Sequence, residues 1–278
     1  MTIETVSFEG HDCVRLEDGD VAVVVTISTG PRILGLLVEG VNLFAVLPDA
    51  TLDGPNGGFR FVGGHRLWVA PEVPSITYRA DDRACSVTEV EDGILVEAPE
   101  DGAQLAKTIS VRRASPGWIV DHVVRNASQR SITIAPWAIT QLRTGGEAAL
   151  PIAPHGKGPQ ADRSLVLWPY TDLADPRIGL GRNEVRIDAA GSGPPLKLGA
   201  APSDGRAGYR LGTHHFEKRI EVDPKAAYAD RGAAVQVFVC EEFCELETLG
   251  PLEVVPPGAS VTHREHWLVA PVAKAATA

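Results

Sequence analysis

The sequence predicts an all-β, antiparallel fold with little helix, and three observations carry that expectation. Short β-branched runs recur along almost the whole chain, at 21–27, 32–38, 94–98, 107–113, 118–125, 131–139, 165–168, 235–239 and 261–269. Between them stand clusters such as Asp18-Gly19-Asp20, Asp92-Gly93, Ser115-Pro116-Gly117 and Asn126-Ala127-Ser128, which supply the φ values and local hydrogen bonds that tight turns require. The 28 Gly and 21 Pro are spread so that few helix-length windows escape a breaker.

Within 118–125, alternation puts Trp118, Val120, His122 and Val124 on one face and Ile119, Asp121, Val123 and Arg125 on the other. Neither face is purely polar, which predicts a sheet covered on both sides. From 145 to about 208 the pattern loosens into Pro- and Gly-rich sequence such as Gly191-Ser192-Gly193-Pro194-Pro195, yet 165–168 and 184–188 still read as strands. We expect long functional loops in a single domain over 1–271 rather than a linker between two, with 272–278 a frayed tail.

Hydrophobic residues make up 44% and charged residues 22%, enough apolar material for a full core. A net charge of −10 and the lack of any Lys/Arg run argue against nucleic-acid and anionic-membrane partners. No stretch approaches the roughly 20 apolar residues of a bilayer span, and MTIETVSFEGHD lacks the basic start and apolar core of a secretory signal, so the expected location is the cytoplasm. Cys13, Cys85, Cys240 and Cys244 have no zinc or redox spacing and read as buried reduced thiols.

Residues 59–72, FRFVGGHRLWVAPE, are the densest in chemistry: paired glycines, then His65, Arg66, Trp68 and, at a Pro-bounded end, Glu72. These groups suit sugar hydroxyls. They equally describe a Gly-Gly turn in which Arg66 pairs with Glu72, Trp68 fills the core and His65 is a hydrogen-bonded core histidine. In 235–251 an apolar strand runs into Glu241, Glu242, Glu245 and Glu247. Most must be solvated to limit repulsion, while Glu247 is placed for partial burial and service as a base; a solvated, aggregation-blocking edge is the competing reading.

In Thr262-His263-Arg264-Glu265-His266-Trp267, strand alternation separates His263 from His266, so the two cannot chelate one ion locally, and no metal is expected. Trp137 and Gln141 in 135–142, and Trp168 in 167–172, place indoles beside polar groups that would hold a pyranose face and its hydroxyls, or else are core residues. Lys218 is a candidate for an anionic substituent, with simple exposure as the alternative.

In their order, Gly30-Pro31-Arg32-Ile33-Leu34-Gly35-Leu36, Gly40 to Phe44, Gly63 to Glu72, Asn126 to Gln141, Leu165 to Asp172 and Glu247-Thr248-Leu249-Gly250-Pro251 resemble the galactose mutarotase-like superfamily, and more closely its DUF4380 group. The resemblance implies a supersandwich of antiparallel sheets with a sugar-binding concave face. Its mutarotases open and reclose an aldose ring with a histidine acid and a glutamate base; Glu247 resembles that glutamate, and Gly63-Gly64 resembles a segment at the pocket of the hexose-6-phosphate epimerases. Where the acid histidine is expected, this chain reads Ala135-Pro136-Trp137-Ala138-Ile139-Thr140.

Three functions follow as expectations. The first is an aldose epimerase-like enzyme with Glu247 as base, His65 as acid, and Arg66, Trp68, Glu72, Trp137, Gln141, Trp168 and Lys218 binding substrate. The second is a carbohydrate-recognition domain without turnover, and the third a structural protein whose polar cluster only stabilises a loop. A small carbohydrate is the expected partner, no cofactor is implied, and the oligomeric state is not read from the sequence.

Overall fold

The alternating strands build two large antiparallel sheets and one hairpin in a computed structural model that describes the chain apart from residues 55–56, 153, 155, 157, 202–203 and 272–278. The expected tail at 272–278 therefore lies outside the described residues. The first sheet runs, in spatial order, Thr2–Phe8, His11–Asp18, Val21–Thr26, Arg32–Val38, His65–Ala70, Ile132–Arg143, Phe243–Leu249, Val235–Val239, Leu196–Ala200 and Leu165–Leu167, with Val41–Asn42 and Glu253–Val255 attached at its flanks.

The second runs Ile178–Leu180, Glu184–Ala189, Gly146–Pro151, Arg206–Leu211, His214–Arg219, Ser260–Pro271, Trp118–Asn126, Leu105–Arg113, Gly93–Glu97 and Ser86–Val90. The hairpin Val46–Gly54/Gly57–Gly63 stands apart from both. Helical segments are confined to two four-residue turns among the described residues, Pro74–Thr77 and Ala229–Gly232, the second with left-handed φ at Asp230 and Arg231. None is long and apolar enough to cross a membrane.

The main core lies between the sheets, where Val23, Leu36, Leu67, Leu198, Val237 and Leu246 of the first meet Ile109, Val120, Ile187, Phe216 and Trp267 of the second. Burying such side chains is the dominant favourable contribution to folding, at about 1.5–3 kcal/mol for each large one. The second sheet is covered on one side only at Trp118–Asn126, against the expectation of two. Trp118, Val120, His122 and Val124 are buried, whereas Ile119, Asp121, Val123 and Arg125 face out. The outer face is held by charge instead, with Arg112 and Arg264 both paired to Asp121.

The loosely patterned region 145–208 contributes strands to both sheets, Gly146–Pro151, Ile178–Leu180 and Glu184–Ala189 to one and Leu165–Leu167 and Leu196–Ala200 to the other. The glycine pair serves the fold. Gly63 and Gly64 have φ of 90° and 74°, and a Cβ on either would lie 2.2 Å from the Ala45 carbonyl oxygen or 2.3 Å from that of Ile33. Only glycine lets the hairpin return so tightly into the strand His65–Ala70.

Candidate functional site

Strand alternation gives the first sheet two unlike faces. Cys244, Leu246, Val237 and Leu198 point into the core, and the residues between them point away from it. That second face carries Trp68, Trp137, Ile139, Lys197, Phe238 and Glu245. Leu47, Leu52 and Phe61 of the hairpin rise along one side, and Tyr78, Trp168 and Tyr170 close others, enclosing a cavity of about 480 Å³. Its size falls within the usual range of small-ligand sites, and its lining has their usual character of aromatic walls with a few convergent polar groups. Trp68 meets Trp137 edge to face with centroids 5.7 Å apart, and Tyr78 meets Trp68 at 5.2 Å.

Glu247 is fully buried beneath this floor. Its Oε2 accepts from Trp137 Nε1 at 2.7 Å and from Lys197 Nζ at 2.7 Å, while its Oε1 has no partner in the protein. Lys197 is itself clamped between two indoles, its ammonium 4.9 Å from the Trp137 ring and 4.7 Å from the Trp168 ring. Two residues along the same strand face, Glu245 accepts a hydrogen bond at Oε1 from Gln141 Nε2 at 3.0 Å and lines the cavity. Burial and then the charge of Glu247 push the Glu245 carboxyl up to about 8.

Arg66 lies on the same face, fully buried, its guanidinium carbon 4.2 Å from the Trp68 ring and 4.8 Å from that of Phe61. Its partner is Asp81, at 3.1 Å, and not Glu72, which is exposed at the cavity rim and accepts from the Tyr78 hydroxyl. Arg32 joins the same carboxylate at 2.8 Å. Burial lowers Arg66 to about 10; burial also works against ionisation of Asp81, but the two guanidiniums prevail and hold it at about 2. The pair is thus charged at neutral pH and stiffens the wall behind Trp68. Trp68 Nε1, Gln141 Oε1 and Arg66 Nη1, all buried, are likewise unpartnered within the protein.

The structure separates His65 and Lys218 from this cavity, which corrects their expected placement. His65 neighbours Arg66 in sequence, so strand geometry turns it to the other face, where it is fully buried between the sheets. Its Nδ1 lies 2.8 Å from the Thr140 hydroxyl and its Nε2 2.7 Å from His122 Nε2. Lys218, also fully buried, pairs at 2.6 Å with Glu265 and donates to the Ala138 and Leu246 carbonyls. Lys218 thus lies between the two sheets, on the far side of the first sheet from the cavity.

Glu265 additionally accepts from Trp267 Nε1 at 2.7 Å and from the Thr248 hydroxyl. His65, His122 and Glu265 bring ligand atoms within 4.8 Å of one another, a grouping from three strands that local spacing does not reveal. In this structure the positive charge beside Glu265 is Lys218. Within Thr262 to Trp267 itself, His263 is buried and His266 exposed, on opposite faces as the strand period requires.

Of the residues expected from sequence, Glu247, Arg66, Trp68, Glu72, Trp137, Gln141 and Trp168 thus gather on or directly beneath one cavity, whereas His65 and Lys218 lie in the core. Lys197, Tyr78 and Asp81 escaped sequence reasoning, and Glu245 was read only as one of a group of carboxylates, most of them expected to be solvated. Lys197 had a signal, a lone cation in the alternating strand Leu196–Ala200, hidden by its Pro- and Gly-rich surroundings.

No protein-family profile and no curated protein matches the chain. Solved structures do. A galactose mutarotase-like protein from Lactobacillus casei aligns over 93% of this chain and 100% of its own, with a TM-score of 0.54 at 11% identity. The fold is that of the galactose mutarotase-like proteins. A galactose mutarotase-like protein from Clostridium acetobutylicum aligns over 97% and 98% (TM-score 0.54, 10% identity), and a candidate aldose 1-epimerase from Escherichia coli K12 over 92% and 98% (TM-score 0.57, 10% identity). On a galactose mutarotase-like fold the cavity occupies an open sheet face, with the hairpin Val46–Gly63 as its side wall.

Proposed function

We propose that the cavity binds a monosaccharide-sized carbohydrate and that Glu247 is the base of an aldose epimerase-type reaction in it. The observation that carries this reading is the setting of Glu247: a buried carboxylate, held at one oxygen by Lys197 and Trp137, its other oxygen unpartnered, under an aromatic-walled cavity. Burying a carboxylate is costly unless it is paired, and here the pairing leaves one oxygen free to take a proton. The indoles offer faces to the C–H side of a sugar ring, and Gln141, Glu72 and Trp68 offer groups for its hydroxyls. The names borne by proteins of the same fold support the substrate class. The motif order resembling the DUF4380 group belongs to the same reading, as does residence in the cytoplasm.

Ring opening of an aldose already proceeds in water, so a positioned proton-transfer group contributing about 10²- to 10⁴-fold suffices. A second reading, recognition without turnover, is favoured by one observation: no histidine lines the cavity among the described residues. Saturation-transfer NMR against free and phosphorylated aldoses and uronic acids, with exchange spectroscopy on the same samples, separates the two. Saturation transfer with accelerated anomer exchange, lost in Glu247→Gln while binding persists, is the expected result. Binding with exchange at the uncatalysed rate replaces the enzyme with the recognition domain, and no binding to any member removes both.

A further inference from the structure

We propose that Glu245 is the general acid of this cavity, working opposite Glu247 across the anomeric centre of the sugar; the assignment rests on the reading of the cavity as an epimerase site. Strand Phe243–Leu249 projects residues 245 and 247 to the same face, their backbones about 6–7 Å apart. That spacing lets two carboxyl groups approach the two oxygens carried by one anomeric carbon from different sides. Glu245 lines the cavity, and Glu247 lies beneath it.

The two carboxyls are not equivalent, because the nearest cation is bonded to one of them. Lys197 contacts Glu247 at 2.7 Å, whereas Glu245 receives only the neutral amide of Gln141 at 3.0 Å. Arg66 stands on the next strand but one, yet its charge is directed to Asp81. Glu72 and Glu242 line the same cavity and add negative charge, and the phenols of Tyr78 and Tyr170 add none. Two adjacent carboxylates behind an aromatic wall repel, so one of them keeps its proton. Burial and the charge of Glu247 make that one Glu245, raised to about 8. Carboxyls whose surroundings drive them apart in this way are the usual signature of an acid and base pair.

Other candidates for the acid are weaker. Burial pushes the Tyr78 and Tyr170 phenols further up, away from neutral pH, and the Tyr78 hydroxyl is already given to Glu72. Because Glu245 Oε1 accepts from Gln141, its acidic proton sits on Oε2. In the forward step the Glu247 carboxylate takes the proton of the anomeric hydroxyl, the C1–O5 bond breaks as the C1=O1 bond forms, and Glu245 delivers its proton to O5. After rotation about C1–C2, Glu245 takes the O5 proton back, O5 attacks the other face of C1, and Glu247 returns a proton to O1. Both carboxyls end as they began and nothing is oxidised or reduced.

The test is steady-state anomer exchange by NMR over pH 5 to 10 for the wild type, Glu245→Gln, Glu245→Asp and Glu247→Gln. We expect kcat of the wild type to fall as pH rises through about 8. Glu245→Gln should lose about 10²- to 10⁴-fold in kcat with KM nearly unchanged and with no alkaline limb, and Glu245→Asp should restore part of both. Urea midpoints at pH 9 guard against a folding artefact: the Gln variant, carrying no charge beside Glu247, should be at least as stable as the wild type there. A Glu245→Gln protein with wild-type kcat and an unchanged alkaline limb overturns the assignment while leaving Glu247 as base. A wild type that binds aldoses without accelerating exchange overturns both the acid assignment and the epimerase reading, and Glu247→Gln then also changes nothing.

Discussion

His65 Nε2 and His122 Nε2 lie 2.7 Å apart in the middle of the inter-sheet core, so one ring must donate to the other. His122 Nδ1 donates to the His263 carbonyl at 3.1 Å, which leaves its Nε2 as acceptor and makes His65 Nε2 the donor. His65 Nδ1 then accepts from Thr140, and His263 Nε2 donates to Thr248, whose hydroxyl donates to Glu265. Every imidazole is neutral in this array. Burial opposes the ionisation of Glu265 too, but the Lys218 ammonium prevails and holds it below the ordinary carboxylate range.

Acid lability follows from this array. Burial lowers His65 and His122, and lowers His263 to about 3 from an ordinary 6.5, so the unfolded chain takes up protons that the folded one refuses. Groups with depressed folded values contribute stability that is complete above their unfolded values and lost as pH falls through the folded ones. Urea midpoints should therefore fall steadily between pH 6.5 and pH 3, with Glu265 adding to the loss near the bottom of that range. A midpoint that stays flat from pH 7 to pH 4 contradicts the neutral array.

His65→Gln tests the placement of this histidine. The substitution removes a buried hydrogen-bond partner of Thr140 and His122 and touches nothing in the cavity. Loss of about 1–3 kcal/mol of stability is expected, with carbohydrate affinity and exchange unchanged under native conditions. Exchange lost at full stability would put His65 back in the chemistry.

How much of this was legible from sequence depends on which physical period governed each residue. The strands at 32–38 and 235–239 were read to the residue because apolar residues fill them almost without a break. Thr2–Phe8 and Phe243–Leu249 were missed, because polar and charged residues (Thr2, Glu4, Thr5 and Ser7 in one, Glu245 and Glu247 in the other) interrupt their apolar residues. Trp137 and Gln141 were legible as an indole and an amide within an apolar run, and Glu247 by its place after the apolar stretch from 235 and its resemblance to the superfamily's glutamate. His65 was misplaced for a different reason: adjacency to Arg66 suggested a shared site, but neighbours on a strand face opposite ways. Asp81 lies in an irregular segment, and nothing local announces that Arg32 and Arg66 converge on it.

Lys218→Met should be among the most damaging single changes. It leaves Glu265 a buried carboxylate without its cation, a loss of about 3–5 kcal/mol when one partner of a buried pair is removed. The double variant Lys218→Met/Glu265→Leu should recover much of the deficit, since replacing both partners by apolar groups is often nearly neutral. Thermal or urea unfolding of the two proteins measures this directly, and equal instability of both would mean that the polar contacts to Trp267 and Thr248 matter more than the charge pair.

Lys197 sits at the junction of stability and function, so its removal separates two effects. In Lys197→Met the apolar stem still fills the space between Trp137 and Trp168, but the ammonium 2.7 Å from Glu247 is gone. Among the described residues, Trp137 Nε1 then remains the only partner of Glu247. A stability loss of about 3–5 kcal/mol at pH 8 is expected from the unpaired carboxylate, and it should shrink as pH falls, because a protonated Glu247 no longer needs a cation. Unfolding curves at pH 8 and pH 5 check the sign: a deficit that grows toward pH 5 refutes the charge pairing. Trp168→Ala provides the contrast, since it removes a wall of the cavity and one ring beside Lys197 while leaving the Lys197–Glu247 pair in place. Carbohydrate affinity should drop about tenfold, equivalent to about 1.4 kcal/mol, with stability little changed; undiminished affinity would mean that the sugar ring packs elsewhere, with Trp137 and Trp68 as the remaining indole faces.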